Sequence, residues 1–351
     1  MKIRILLLSV LLVLGTLVGC ESKDQGDKGP AGKKGPQTPA DKPAPAKELT
    51  APTPPEAPVK NKGTIGLSVL TLTNPFFKVI ADTMTAEAKK YGYDVIVTAG
   101  EFDAMKQQNQ VKDFITKKVA AIVLTPCDSK AIGAAIQDAN EAGIPVFTAD
   151  IACMAEGAKV VCHVATDNYL GGKMAAEGMI EALGPKGDFK VAIIDHPEVE
   201  SVIQRTEGFK ARIAEANKSA DLNVEIVTTL PGGGARDKSF KVAQDILLAH
   251  GDLAGIFAIN DPSALGARAA MEKAGKGDQI VLIGFDGMPE GKKAIKEGKI
   301  YADPIQFPDK IAQNTVWAIV YYFEGEKVPP EILIPTALYR KADAEKDPSL
   351  E

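Results

Sequence analysis

From Thr64 onward the chain alternates short apolar, β-branched runs with longer stretches in which apolar residues recur every three or four positions. The runs are TIGLSVL, YDVIVTA, VAAIVLT, IPVFTA, FKVAII, LNVEIVTT, AGIFAI, QIVLIG and KIYAD. Segments apolar at consecutive positions read as strands buried on both faces, and the longer intervals between them read as crossover helices. The pattern therefore predicts a parallel α/β architecture. Nine strands exceed one sheet of ordinary size, and the alternation restarts after residues 160–168, so two similar lobes are expected.

The corner TNPFF, residues 73–77, is where the first strand gives way to the first helix. Asn74 suits a helix N-cap and Pro75 the first helical position. Counting three, four and seven residues on from Phe77 gives Ile80, Ala81 and Met84, an apolar stripe that places this ring partly in the core. From Phe76 the same count gives Val79, Ile80 and Thr83, with Glu87 next, so its stripe turns polar after one turn. Phe76 is left with another task.

Ligands of open parallel sheets sit beyond the carboxyl ends of the strands. Those positions hold Asn74-Pro75, Pro126-Cys127-Asp128, Asp150, Asp195-His196, Pro231 to Gly234, Asn260-Asp261, Phe285-Asp286-Gly287 and Gln306. Carboxylates and carboxamides exchange hydrogen bonds readily with neutral hydroxyls, whereas a phosphate site needs glycine-rich amides with Lys or Arg. An aromatic ring at the same edge can lie against the C–H face of a sugar. The set suits a small polyhydroxylated molecule. Each member also has a structural alternative: Asp150 and Asp286 as turn residues, Asn260 as a helix cap, the two phenylalanines as packing, Arg205 as a solvated charge on a helix over 200–217.

Other chemistries find little support. The 351-residue chain has 41 Lys and Arg against 46 Asp and Glu, a net charge of -5, and no clustered basic face for nucleic acid. GGGARDKS fails as a phosphate loop because Asp237 stands where a glycine should precede Lys-Ser. No GxSxG, HExxH or GxGxxG follows a strand, and His163, His196 and His250 are far apart in sequence. No enzyme, cofactor or metal site is expected.

The amino terminus, MKIRILLLSVLLVLGTLVGC, places an apolar run from Ile5 to Val18 behind Lys2 and Arg4. The run is shorter than the ~20 residues a membrane span requires, so residues 1–20 read as a signal peptide. Leu17 to Cys20 resembles a bacterial lipobox, which implies lipidation at Cys20. Residues 21–62 carry nine of the 23 prolines and almost no large apolar side chain, and read as a disordered tether. After Cys20, three cysteines remain in an exported chain, so one disulfide and one thiol are expected. Cys153 and Cys162 flank a short loop and are the expected pair, with three small buried hydrophobes as the alternative.

The motifs TNPFF, PCDSKAI, TDNYLGGKMA, QRTEGF, FAINDPSALGARAA, GFDGMPEGKKAI and QFPDKIA, with the strand end at Asp150, keep their order over residues 63–340. In this they resemble the ribose-type periplasmic sugar-binding proteins, the type I solute-binding family that feeds ABC importers. The resemblance implies two doubly wound lobes joined by three crossovers, near Thr166-Asp167, Gln306-Phe307 and Pro335-Thr336. Lobe 1 would be 63–166 plus 307–335, lobe 2 167–306 plus 336–343, and 344–351 a tail. It further implies that Asn74, Phe76 and Phe77 form a ring-stacking and hydroxyl-binding turn, Asp150 a hydroxyl acceptor, Arg205 the main cationic donor, Asn260 and Asp286 an amide and carboxylate pair, and Gln306 a hinge-side amide.

Two departures stand out. Ile151 occupies the place of an arginine found in ribose members, and Gly232-Gly233-Gly234 the place of a second-lobe aromatic, while His196 adds a polar group at a strand end. These changes predict a small neutral sugar or polyol that differs from ribose in size or hydroxyl pattern. The expected protein is a monomeric lipoprotein of the periplasm or cell surface, membrane-attached through its lipid, with an ABC transporter permease as partner. The alternative is a sugar sensor for a chemoreceptor or histidine kinase.

Overall fold

The computed structural model describes residues 62–350 together with residue 54. The expected signal peptide, Cys20 and the tether up to residue 61, apart from residue 54, lie outside the described residues. Among the described residues twelve strands form: β1 (Gly63–Val69), β2 (Tyr93–Ala99), β3 (Ala121–Leu124), β4 (Val146–Ala149), β5 (His163–Thr166), β6 (Gly187–Asp195), β7 (Leu222–Pro231), β8 (Gly255–Ala258), β9 (Val281–Ile283), β10 (Ala302–Ile305), β11 (Glu331–Ile334) and β12 (Ala337–Arg340). The helices between and after them are α1 (Pro75–Lys90), α2 (Ala104–Thr116), α3 (Gly133–Glu141), α4 (Asn168–Leu183), α5 (Glu200–Ala216), α6 (Arg236–Ala249), α7 (Asp261–Lys273), α8 (Pro289–Lys296), α9 (Pro308–Glu324) and α10 (Lys341–Ala344).

The strands assemble into two six-stranded sheets, ordered β11-β5-β4-β3-β1-β2 and β12-β10-β9-β8-β6-β7. All pairings are parallel except β10 with β12. The protein is thus α/β with two lobes. The chain passes from the first sheet to the second after β5, returns after β10, and crosses again between β11 and β12.

The central strands explain themselves. β3, β4 and β8 are buried along their whole length, as are β1 from Ile65 and β6 from Val191, as parallel strands under two helical layers must be. β11 and β12 are short, four residues each, and flank Pro335-Thr336; only the sheets they join make them strands. Two core clusters fill the outer faces of the lobes, one around Phe114 and Ile122 in the first and one around Ile256 and Met271 in the second. A third runs from Ile65 and Phe147 in the first lobe to Phe209 and Phe257 in the second.

Helix starts place chain ends at the cleft. The Asn74 side chain accepts the Phe76 N–H at 3.0 Å, Asp167 that of Leu170 at 2.9 Å, and Asn260 that of Ser263 at 2.9 Å. Helices α4 and α5 lie so close that a Cβ on Gly172 would stand 2.0 Å from the Arg205 carbonyl oxygen. That approach sets the depth at which Arg205 enters the cleft.

The expected Cys153–Cys162 disulfide does not form: Cys127, Cys153 and Cys162 are all free. Cys162 is buried in the cluster that holds Phe147, while Cys153 packs on the cluster around Phe114, on the other side of the first sheet. The loop between them is short enough for closure, but their side chains leave on opposite faces.

Candidate functional site

The carboxyl ends of the two sheets face each other across a cavity lined by residues of both lobes, among them Asn74, Phe76, Phe77, Asp150, His196 and Arg205. Asn260, Asp286 and Gln306 also line it, so all nine residues expected at a ligand site meet in one place. Its atom-free space, open mouth included, is about 400 Å³.

The lobes touch around this cavity. The Ser129 N–H donates to the Glu198 carbonyl at 2.9 Å, and the Glu200 N–H donates to Ser129 Oγ at 2.9 Å. The Glu200 carboxylate accepts a further bond from the Ala152 backbone, and burial raises its pKa. Because Ser129 and Ala152 belong to the first lobe and Glu200 opens α5 in the second, these bonds form a clasp between lobes.

Phe76 and Phe77 are both buried, 2% and 7% exposed, and meet edge to face with centroids 5.3 Å apart. The polar turn of helix that seemed to free Phe76 from the core is beyond the reach of its ring, which packs inward and touches the cavity at the same time. Asp150 is 3% exposed, with φ 66° and an Oδ1 that has no hydrogen-bond partner. Burial lifts it to about 7, against the pull of Arg205. A carboxyl group poised in this way can either accept from a hydroxyl or donate to one.

Arg205 is not a surface charge: it is 3% exposed. Its Nε donates to Asn168 Oδ1 at 2.8 Å, and its Nη1 donates to the Ile259 carbonyl at 2.8 Å and to Asp286 Oδ1 at 3.3 Å. The guanidinium carbon lies 3.9 Å from the centroid of Phe285, a stacked position that suits the planar cation. Three of its five N–H groups are thereby fixed, and the two on Nη2 lie outside these bonds.

Asp286 stands at φ 99°, and its Oδ1 also accepts from Gln306 Nε2 at 2.7 Å. Burial raises it to about 6 in spite of Arg205 and Gln306. Gln306 Oε1 has no partner. Asn260 caps α7 with its oxygen and donates its amide to the Gly234 carbonyl at 3.1 Å, so its cap and site roles coexist. A Cβ on Gly234, which sits at φ 66°, would come within 3.1 Å of His196 Nδ1 and 3.4 Å of the Asn260 amide nitrogen. Glycine is what lets these three meet. Burial lowers the pKa of His196, with Glu198 opposing at 3.5 Å, so the ring is a neutral donor and acceptor near pH 7.

Ile151, 1% exposed, lines the cavity as an apolar wall. Sequence reasoning missed two contributors. Phe102 lines the cavity from the end of β2, with its centroid 6.3 Å from the His196 ring and 6.0 Å from Lys238 Nζ. It therefore supplies an aromatic surface opposite the triple glycine. Glu101 and Phe102 are both left-handed, at φ 57° and 63°, and Glu101 is held by the Thr71 hydroxyl and the Leu72 N–H. Two consecutive non-glycine residues in that region cost about 1–3 kcal/mol each, which concentrates strain beside the cavity. Asn168, the other, fixes Arg205 from the start of α4. Phe102 obeyed the strand-end rule and was findable; Asn168 carried no signal short of the α4–α5 contact.

The geometry can be compared with known proteins. Residues 65–327 match the family described as periplasmic binding protein domain. The ribose import binding protein of Salmonella typhimurium is 37% identical over 267 residues, 76% of this chain and 87% of that protein. An ABC transporter periplasmic solute binding protein from Actinobacillus succinogenes with bound D-allose is 30% identical with a TM-score of 0.73, covering 82% of this chain and 100% of that one. A solute binding protein from Bacillus halodurans with bound myo-inositol is 28% identical with a TM-score of 0.73, covering 82% and 97%.

Proposed function

This chain belongs to the periplasmic binding protein domain family, and we propose that it captures a small neutral sugar or polyol between its two lobes and delivers it to an ABC importer. The observation that carries this reading is the meeting of buried Asp150, Arg205, Asp286 and Gln306 with the rings of Phe76, Phe77 and Phe102. Rings take the C–H faces of a sugar, Asp150 Oδ1 and Gln306 Oε1 have lone pairs to offer hydroxyls, and Arg205 donates. In this reading it is a receptor, whose carboxyl groups bind and orient the ligand.

The relatives' names and bound ligands agree with the class, since they span a ribose importer component, D-allose and myo-inositol. Within that class Ile151 and Phe102 favour a ligand other than ribose, with fewer hydroxyls facing Ile151 and a second C–H face toward Phe102. Export, lipidation at Cys20 and a membrane permease as partner complete the reading, in which closure around the ligand is the signal the permease receives.

A thermal-shift panel of pentoses, hexoses, deoxysugars and polyols tests it. A ligand at 100 times its Kd adds ~2.7 kcal/mol to the folded state. No shift with any member would sink the ligand class, and turnover of the best binder would sink the receptor reading. ATP hydrolysis by a reconstituted importer, raised by the liganded receptor and not by the empty one, tests the partner.

A further inference from the structure

Behind the side chains that line the cavity, two carboxyl groups meet in the interior of the second lobe. Asp261 follows Asn260 at the start of α7, and Asp303 lies on β10 shortly before Gln306; they are 3% and 0% exposed. Asp261 Oδ2 accepts the Met288 N–H at 2.6 Å, just beyond Asp286. Asp261 Oδ1 and both oxygens of Asp303 have no hydrogen-bond partner as carboxylates. Backbone closes around them: a Cβ on Gly291 would stand 1.8 Å from Asp261 Oδ1, and one on Gly284 2.4 Å from Asp303 Oδ1. The two carboxyl groups lie within hydrogen-bonding reach of each other, and the further charge acting on both is Asp286, on the turn after β9, which is also negative. No cation is among the charges that act most strongly on either group. Two buried carboxylates cannot hydrogen-bond without a proton between them.

Three ligand-lining residues hang from this pair. Asn260 adjoins Asp261. Asp286 donates its N–H to the carbonyl of Pro304, next to Asp303, at 3.1 Å, and its own carbonyl accepts the Gln306 N–H at 2.8 Å. We infer that Asp261 and Asp303 share one proton and act as positioning residues, holding the segments of Asn260, Asp286 and Gln306 in register, so that loss of the proton loosens the grip on the ligand. Burial raises Asp303 to about 7 and Asp261 well above the usual carboxylate range, so the proton stays at neutral pH and leaves in mild alkali.

The inference rests on the proposed ligand site, and its test separates the two. Asp303→Asn replaces the shared proton with a permanent amide donor. The Kd of the best sugar from the panel is measured by calorimetry for wild type and variant between about pH 6 and about pH 9. Asp150 titrates in both proteins and cancels in the ratio of wild-type to variant Kd; Asp286, raised to about 6, feels the charge of the pair, so the ratio is read above about pH 7, where Asp286 is ionised in both. That ratio is expected to climb by up to about tenfold per pH unit once the proton leaves; a flat ratio overturns the inference.

If no sugar binds, the site reading fails but the pair is still judged on the unliganded protein. Because the folded-state pKa is raised, its stabilising contribution declines as pH climbs from about 4 to about 7. The wild-type unfolding midpoint should then fall relative to that of Asp303→Asn across this window, and parallel curves overturn the inference. Should Asp303→Asn not fold, Asp261→Asn donates to Asp303 from the other side and carries the same measurements.

Discussion

Arg205 Nη1 lies 3.3 Å from the carboxylate of Asp286, with side chains 4% and 3% exposed. The two cannot be removed independently. Asp286→Ala leaves a buried guanidinium without its counter-charge, a change that typically costs about 3–5 kcal/mol of stability, and it also removes a ligand contact. Asp286→Asn keeps shape and a hydrogen-bond acceptor for Arg205 and Gln306. We expect the asparagine variant to fold with a smaller loss than alanine while its Kd for the best sugar rises at least about tenfold, equivalent to ~1.4 kcal/mol. Urea unfolding and calorimetry on both variants check this. Equal stability of the two would mean that the pair contributes nothing to the fold.

Phe102 allows a cleaner separation of ring from backbone. Phe102→Gly removes the aromatic surface and at the same time suits the left-handed backbone at φ 63°. Losing a buried phenylalanine contact is worth about 1.5–3 kcal/mol, so ligand affinity should fall by roughly one to two orders of magnitude. The unfolding midpoint should hold or rise, because glycine relieves strain. An unchanged Kd would show that the ligand does not touch this ring.

His163 offers a pH prediction. Burial lowers its pKa from 6.5 to about 4, against a hydrogen bond with the Thr148 backbone, and Thr148 Oγ1 lies 2.8 Å from its Nδ1. The unfolded chain takes up a proton below pH 6.5 that the folded chain refuses until about pH 4. The stabilising contribution is therefore complete above pH 6.5 and declines as pH drops toward 4. His163→Gln should lose less stability than wild type between about pH 7 and about pH 5 in urea melts. Identical slopes would place the group outside the titration.

Thiol labelling tests the cysteine assignment. Burial pushes the thiols of Cys127 and Cys162 up to about 12, and also raises that of half-buried Cys153. Thiolate is the reactive form. Native protein should take an alkylating reagent at Cys153 first and slowly, while denatured, unreduced protein takes it at Cys127, Cys153 and Cys162 alike. A denatured sample labelled only at Cys127 would restore the disulfide.

How far the sequence could be read depended on what kind of interaction each feature needs. The nine apolar runs are strands because burial on both faces writes itself into consecutive positions. Strand ends then pointed to Asp150, Asn260, Asp286 and Gln306, since topology alone puts them at one edge. β11 and β12 lack a local signal because their hydrogen-bond partners, β5 and β10, are far away in sequence. Phe102 stood within reach of the strand-end rule, just past Gly100, but neither its own type nor that of Glu101 announces a left-handed backbone. Cys153 and Cys162 show the opposite error: spacing suggested proximity, while the face each side chain takes is decided by the sheet between the clusters.

The clasp of Ser129 and Glu200 has a consequence for timing. Opening parts two sheets that share no strand, and at this edge it breaks two backbone-donated bonds to Ser129 or from it and one to the Glu200 carboxylate. Each such bond has a net worth of about 0.5–1.5 kcal/mol, so the latch amounts to a few kcal/mol. A latch of that size lets an empty receptor sample its open form many times for each global unfolding event, and it leaves the occupant of the cleft to decide how long the door stays shut.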